Sequence, residues 1–141
     1  MLIQDTDYKV VIGESALKVL SQASVEVRNQ AEREAQEEIS GYLRPKYDVQ
    51  AIFAATDSER NPQILMYMCD IALYHMVASL PNKMGYEIRE TRYKRAIEWL
   101  TSVQAGKVTP NLPQVGCSTA TPGASGGEFI YHSQQKLRHN W

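Results

Sequence analysis

Residues 64 to 80 read ILMYMCDIALYHMVASL, and a helix drawn through them is apolar on almost every side. Such a helix has to be covered all round, either in the centre of a bundle or against a neighbouring molecule. The run falls just short of the roughly 18 to 20 residues that span a membrane, and it contains Asp70 and His75. We therefore expect the central helix of a helical bundle rather than a membrane span.

Signals at both ends predict a central helix over residues 61 to 80. Asn61 is a good N-cap, and Pro62 suits the first helical position because proline there loses no hydrogen bond that it would otherwise make. Pro81 is expected to stop the helix.

A second long helix is predicted from Ser24 to the residues before Pro45, because apolar side chains recur at steps of three or four. Its expected core face consists of Val27, Ala31, Ala35, Ile39 and Tyr42 or Leu43. Its outer face is predicted to carry Glu26, Arg28, Glu32, Arg33, Glu34, Glu37 and Glu38. We expect the acidic side chains from Glu32 to Glu38 to face solvent, a channel or a basic partner, with Glu34, Glu37 and Glu38 as the candidates.

The last helix is expected to begin near Glu87 and to end at Gly106, which supplies a left-handed C-cap. Its predicted core stripe is Ile88, Tyr93, Ala96 or Ile97, Leu100 and Val103. The basic side chains of this helix alternate with acidic ones, a pattern typical of a solvated face. These basic residues are Arg89, Arg92, Lys94 and Arg95.

Two shorter regions complete the expected domain. Asp5 or Asp7 is predicted to cap a short helix that breaks at Gly13. A second short helix is predicted to begin at Glu14 or Ser15. Residues 47 to 61 show no sustained period, so we expect a loop anchored by Ile52 and Phe53. The fold class is therefore predicted to be all-α, a compact bundle of about four helices with an extended C-terminal tail.

The C-terminal part changes composition. Residues 110 to 127 are rich in Pro, Gly, Ser and Thr, which is typical of a linker. Residues 128 to 141 regain aromatic and β-branched side chains, and we interpret them as a docking tail behind a helical domain of residues 1 to 109. The alternative is a loose end that only aids solubility. The candidate docking side chains of the tail are Phe129, Ile130, Tyr131 and Trp141.

Composition excludes several classes of protein. A chain of 141 residues has room for one domain, and its net charge of -1 gives no global attraction to nucleic acid or to an anionic membrane. Cys69 and Cys117 form neither a disulfide framework nor a metal spacing. The acidic residues and the short apolar run near the N-terminus lead us to expect no export signal.

No catalytic, cofactor or metal site is predicted. Cys69 and His75 lie six residues apart and so on different faces of a helix, and no Ser/His/Asp set, paired carboxylates or zinc spacing appears. The Met and Tyr side chains of the apolar helix suit a core or a subunit interface better than a ligand pocket. The interface candidates there are Met66, Tyr67 and Tyr74.

Three stretches together resemble a known family. They are EAQEEISGYLRPKYDV, CDIALYHMVASLP and RYKRAIEWLTSVQAGKVTPNLP. In their order and spacing they are similar to the small head-tail connector (head-completion or adaptor) proteins of tailed phages and prophages, specifically the Mu-like branch that is often left as a domain of unknown function. The matching positions are Ile39, Tyr42, Leu43, Tyr47, Asp70, Ile71, Ala72, Leu73, Tyr74, Arg92, Tyr93, Ala96, Ile97, Trp99, Leu100 and Gly106. The longer tail looks like the type found in prophages of gut Bacteroidetes.

The resemblance implies a structural virion protein and not an enzyme. Such subunits form a ring, commonly twelvefold, beneath the portal protein, contact downstream tail or stopper proteins, and line the channel through which double-stranded DNA passes without sequence-specific binding. The implied location is the head-tail interface of the virion, with the host cytoplasm during assembly and no membrane contact. The alternative is a small helical nucleic-acid-binding or DNA-packaging accessory protein, which would bind DNA tightly as a monomer.

Overall fold

The structure is a computed structural model that describes residues 3–13, 23–79 and 85–116. Five α-helices follow one another in these ranges, with a 3-10 turn, Asp57–Glu59, before the fourth. They are α1 (Asp5–Ile12), α2 (Val25–Leu43), α3 (Val49–Ala54), α4 (Pro62–Ser79) and α5 (Tyr86–Gln104). The described ranges contain no strand, only an isolated antiparallel bridge between Tyr47 and Gln114. The predicted all-α class is confirmed.

Helix α4 is the centre of the bundle. It packs against α2, α5 and α1, and most of its side chains are buried. The buried residues of α4 are Ile64, Tyr67, Met68, Cys69, Asp70, Ile71, Ala72, Leu73, Met76 and Val77. The predicted start is confirmed, because the Asn61 Oδ1 accepts hydrogen bonds from the backbone amides of Gln63 (3.0 Å) and Ile64 (3.2 Å). The protein's own helices thus cover the apolar run.

Helix α2 begins and ends where its sequence predicts. The Ser24 hydroxyl accepts from the Val27 amide at 3.3 Å, and the helix stops at Leu43, two residues before Pro45. Its buried apolar side chains are Ala31, Ala35, Ile39 and Leu43. The expected outer face is wrong at one position, because Glu32 is only 2% exposed.

Helix α5 starts at Tyr86, one residue before the predicted Glu87, and the predicted cap is confirmed by Gly106, whose φ is +77°. Its buried residues are Ala96, Leu100 and Val103. The expected burial of Ile88 is wrong, since this side chain is 64% exposed. Ile88 and Tyr93 are five residues apart, which rotates them by about 140° on a helix and places them on different faces.

The N-terminal helix α1 is capped by Gln4 rather than by Asp5 or Asp7. Asp7 sits one turn inside, and its carboxylate accepts from the Gln4 backbone amide at 2.7 Å. Gly13, with a φ of +76°, follows the last helical residue, as its predicted helix-breaking role requires. The second short helix predicted at Glu14 or Ser15 lies outside the described residues.

The segment between α2 and α4 is more ordered than predicted. It contains α3, which the Asp48 carboxylate caps by accepting from the Ala51 amide at 3.0 Å. Ile52 is buried and Phe53 is half-buried, so their predicted role as apolar anchors is confirmed. A helix of six residues is too short to show a period in the sequence, which explains the missed prediction.

The chain after α5 stays against the bundle for longer than the predicted boundary at residue 110 implies. The Asp48 amide donates to the Pro113 carbonyl at 2.8 Å, and the Val115 amide donates to the Lys46 carbonyl at 3.2 Å. Leu112 is buried. The remainder of the predicted linker and the tail of residues 128 to 141 lie outside the described part, and their separation from the domain stays a prediction.

None of the helices in the described ranges combines the length and the apolarity that a membrane span needs.

The central position of α4 predicts a large loss of stability when its packing is opened. Ile71→Ala removes a fully buried side chain and should lower the free energy of unfolding by about 3 kcal/mol, the usual cost of a core cavity. The matched control is Val10→Ala, because Val10 is 86% exposed and its loss should change stability by less than about 0.5 kcal/mol. Urea denaturation measures both, and equal losses would contradict the assignment of α4 as the core helix.

Candidate functional site

A cluster of charged and aromatic side chains lies where α1 meets α2. Here Glu32 accepts a hydrogen bond from the Tyr8 hydroxyl at 2.9 Å and another from the Arg28 Nε at 2.9 Å, both at Oε1. Arg28 also pairs with Asp5 and lies over the Tyr8 ring, 5.2 Å from its centroid. Burial, followed by the Glu32 charge, raises the pKa of Tyr8 far above its ordinary value, so the phenol stays protonated as a donor.

A second buried ion pair fastens α1 to the segment before α4. The Arg60 Nη1 lies 2.6 Å from the Asp7 Oδ2, and its Nη2 lies 3.2 Å from Oδ1, which is a two-pronged contact. The side chains are only 14% and 10% exposed. Because such contacts fix both planes, Asp7 and Arg60 set the position of α1 as well as its attachment.

Asp70 and His75 of α4 each lie beside a charged side chain on another helix of the same chain. The Asp70 Oδ1 lies 3.4 Å from the Arg92 Nε of α5, too poorly aligned for a hydrogen bond. Burial raises the pKa of Asp70, and the nearby charges of Arg92, Arg89 and Arg95 oppose that rise. The prediction that the basic residues of α5 are solvated is therefore wrong for Arg92, which pairs with the buried Asp70. It holds for Lys94, whose Nζ lies 2.7 Å from Glu90.

His75 joins α4 to α2. Its Nε2 lies 3.2 Å from the Glu38 Oε2, and its Nδ1 lies 3.9 Å from the Glu34 Oε2. Glu38 also accepts from the Tyr93 hydroxyl at 2.6 Å. The hydrogen bond with Glu38 raises the pKa of His75, and the same bond lowers the pKa of Glu38.

Stacked tyrosines extend this contact towards the start of α5. The rings of Tyr74 and Tyr93 lie 4.3 Å apart and nearly parallel, and the hydroxyls of Tyr74 and Tyr86 are 3.2 Å apart. Tyr67 lies about two helical turns before Tyr74 on the same side of α4, and its ring packs against Trp99 with a centroid distance of 4.9 Å. Aromatic side chains of both helices thus form part of the contact between α4 and α5.

A surface groove lies beside His75, between α2 and α4. Its volume is about 340 Å³, and it is named the acidic groove here. The residues that line it are Glu26, Val27, Gln30, Ala31, Glu34 and His75. Two of the six are carboxylates and none is a lysine or an arginine, so the groove suits a partner that is both apolar and positively charged.

The structure separates the predicted interface residues of α4. Met66 and Tyr74 are half-buried, whereas Tyr67 is only 4% exposed and presents almost no surface to a partner. The predicted tail residues Phe129, Ile130, Tyr131 and Trp141 lie outside the described residues. An interface role for any of them stays a prediction.

The predicted acidic candidates also differ from one another. The Glu37 side chain is 74% exposed and pairs with Arg44, while the Glu34 side chain is 47% exposed on the rim of the acidic groove. Glu38 is 25% exposed and belongs to the contact with His75. Sequence period alone places all three on one outer face. It does not reveal that one of them contacts a histidine from another helix.

No group of three or more potential metal ligands occurs among the residues in the described ranges. Cys69 is fully buried, and burial raises the pKa of its thiol to about 12. This agrees with the structural role that its sequence position favours. Cys117 lies outside the described residues.

Comparison with models of protein families matches residues 2–128 to the family described as Bacteriophage Mu, Gp36. The chain belongs to the bacteriophage Mu Gp36 family. No curated protein and no solved structure matches it. The match spans all three stretches that carry the resemblance to Mu-like phage proteins, so the assignment to a phage family is confirmed, and the Gp36 relationship ends before most of the C-terminal tail.

Because Glu32 is buried and Glu37 is exposed, we expect their loss to change the stability of the domain by different amounts. Glu32→Ala leaves the Tyr8 hydroxyl and the Arg28 guanidinium without their shared acceptor and should destabilise the domain by roughly 3 kcal/mol. Glu37→Ala removes an exposed ion pair and should cost less than about 1 kcal/mol. Thermal and urea unfolding of both variants provide the comparison, and similar stabilities would show that Glu32 is not structural.

The contact between His75 and Glu38 predicts a specific pH dependence. The imidazolium contributes stability that is complete below the ordinary pKa of 6.5 and is lost as pH rises through the higher folded pKa. Glu38 contributes stability that is present above its ordinary pKa and is lost as pH falls through its lowered value. The advantage of the native chain over Glu38→Gln should therefore be largest between these limits and should shrink towards pH 9.

Titration of the His75 ring by NMR checks this directly. Glu38→Gln should lower the pKa of His75, because the carboxylate that raises it most is gone. Glu34→Gln is the matched control and should lower the pKa by less, because Glu34 is 3.9 Å from the ring. An unchanged His75 pKa in Glu38→Gln would disprove the contact.

Proposed function

We propose that this member of the Mu Gp36 family is a structural virion protein, a head-tail connector subunit that forms a ring beneath the portal and lines the DNA exit channel. The observation that carries the proposal is the family match over residues 2–128, taken with the helical patterns of the three matching stretches. We propose in addition that the chain comes from a phage or prophage of Bacteroidetes, on the basis of the composition of its C-terminal tail.

The fold supports a role in assembly through its surface. Because most of α4 is covered within the chain, the outer faces of the other helices are available for contacts between subunits. Three aliphatic side chains there are more than half exposed, namely Val10, Val25 and Ile88. Isolated apolar side chains on rigid helices are suited to small repeated contacts, which a ring multiplies by its number of subunits.

The charge of the surface suits passage of DNA rather than its capture. Glu34 and Glu37 are exposed on α2, and a wall with such carboxylates repels a duplex. The proposed partners are further copies of the chain, the portal protein, downstream tail or stopper proteins, and DNA that passes without sequence-specific binding. The proposed location is the head-tail interface of the virion, reached from the host cytoplasm during assembly.

We propose further that the chain catalyses no reaction. The buried carboxylates Glu32 and Asp7 are held by arginines, and the Cys69 thiol stays protonated at neutral pH. Groups engaged in this way stabilise a fold and are not free to act as acids, bases or nucleophiles.

Assembly with the portal protein of the same phage tests the connector function. The purified chain, mixed with portal rings and viewed by electron microscopy, should add one extra ring of density on the portal axis, at low and at moderate salt. An otherwise matched mixture that contains the Ile71→Ala variant controls for folding. Tight binding of a monomer to duplex DNA, with an affinity that falls steeply as salt increases, would instead support the nucleic-acid-binding alternative.

A further inference from the structure

We propose that the acidic groove binds residues 136–141, KLRHNW, of a second copy of the chain. This inference rests on the connector function proposed above, because it supplies one contact between copies. It goes beyond the family relationship, since the segment lies outside the residues 2–128 that match the Gp36 family.

The groove offers an apolar floor between charged walls. Ala31 is buried and Val27 is half-buried, so both present carbon atoms at the bottom rather than polar groups. Glu26 and Glu34 supply the negative charge, and Glu38 lies directly behind His75. Among the described residues of the lining, His75 alone can carry positive charge, and it does so only when it is protonated.

The size of the groove fits one large aromatic side chain. Its volume of about 340 Å³ lies at the lower end of the roughly 300 to 1,000 Å³ range of ligand pockets. A tryptophan is well suited to such a site, because its ring buries a large apolar area while its N–H still needs an acceptor. Gln30 and Glu34 supply acceptor oxygens at the wall.

The proposed ligand carries the complementary pattern. In an extended segment, side chains alternate between two sides, which puts Leu137 and Trp141 on one side and Lys136 and Arg138 on the other. The apolar side then faces the floor of the groove. The two basic side chains are long and flexible enough to reach carboxylates on the rim.

The chain is long enough to deliver this segment to a neighbour. Residues 117–141 follow the last described residue, Gly116, and at about 3.3 Å per residue they reach at most roughly 80 Å. A groove and a segment at different places on one chain form a heterologous pair. Contacts of that kind repeat from copy to copy, and they form a ring when the rotation between neighbouring copies closes.

Photo-cross-linking of the full-length chain tests the proposal. A benzophenone amino acid replaces Trp141, isotope-labelled and unlabelled copies are mixed at concentrations up to about 1 mM, and the cross-linked peptides are identified by mass spectrometry. The expected result is cross-links that join labelled to unlabelled chains within residues 26–34. Cross-links confined to single copies, cross-links elsewhere on the surface, or none between copies would each overturn the proposal.

A charge exchange checks the chemistry of the contact. Glu34→Lys should reduce groove cross-links about tenfold, because like charges then face each other. Combining Glu34→Lys on one copy with Lys136→Glu and Arg138→Glu on the other should restore most of the yield. Glu37→Lys is the matched control, since it makes the same change on α2 outside the groove lining and should alter the yield less than about twofold.

The result is independent of the outcome of the portal assembly experiment. Groove cross-links between copies without any ring on the portal would leave the contact in place and refute the connector function. Complete rings on the portal from a chain whose Trp141 probe never reaches the groove of another copy would leave the connector function in place and refute the contact.

Discussion

The burial of one helix that is apolar on every side governs this structure. An amphipathic helix needs a neighbour on one face, whereas α4 needs neighbours all round, and a chain of 141 residues supplies them by placing α2, α5 and α1 about it. Two long helices cover most of α4, and the short α1 covers part of what they leave open.

Pairs of polar side chains determine the relative positions of these helices. Apolar packing alone tolerates many arrangements, but Tyr8 with Glu32, Asp7 with Arg60 and Glu38 with His75 each join two specific elements. Breaking any such pair leaves a partly buried charge without its partner, which is costly. The buried pairs therefore oppose alternative packings of the same apolar surfaces.

Local chemistry made much of the fold predictable from the sequence. The cap at Asn61 and the glycine at Gly106 depend on a side-chain oxygen and on backbone freedom within a few residues, and the structure confirms both. Errors arose where a residue's environment comes from distant parts of the chain. Glu32 is buried because Tyr8 and Arg28 meet it.

The same reason limits prediction of the candidate site. The sequence indicates Glu34 only as part of an exposed acidic face, and it is the crossing of α2 and α4 that brings His75 beside it. The family was nevertheless recognisable, because its patterns are the buried positions of long helices, whose order and spacing survive in the sequence. Helix α3 was missed because a single turn and a half leaves no such pattern.

The ion pairs that attach α1 to the rest of the bundle have a consequence for its local motion. Cys69 is fully buried, and Tyr8, Asp7, Glu32 and Arg60 all lie near enough to affect it or to be affected by it electrostatically. A reagent reaches this thiol only when the packing around it opens, and α1, whose Tyr8 and Asp7 lie near the thiol, is attached both by apolar packing and by ion pairs. The rate at which Cys69 becomes alkylated thus reports how often α1 opens locally. Salt screens charges but not apolar packing, so added salt should increase this rate.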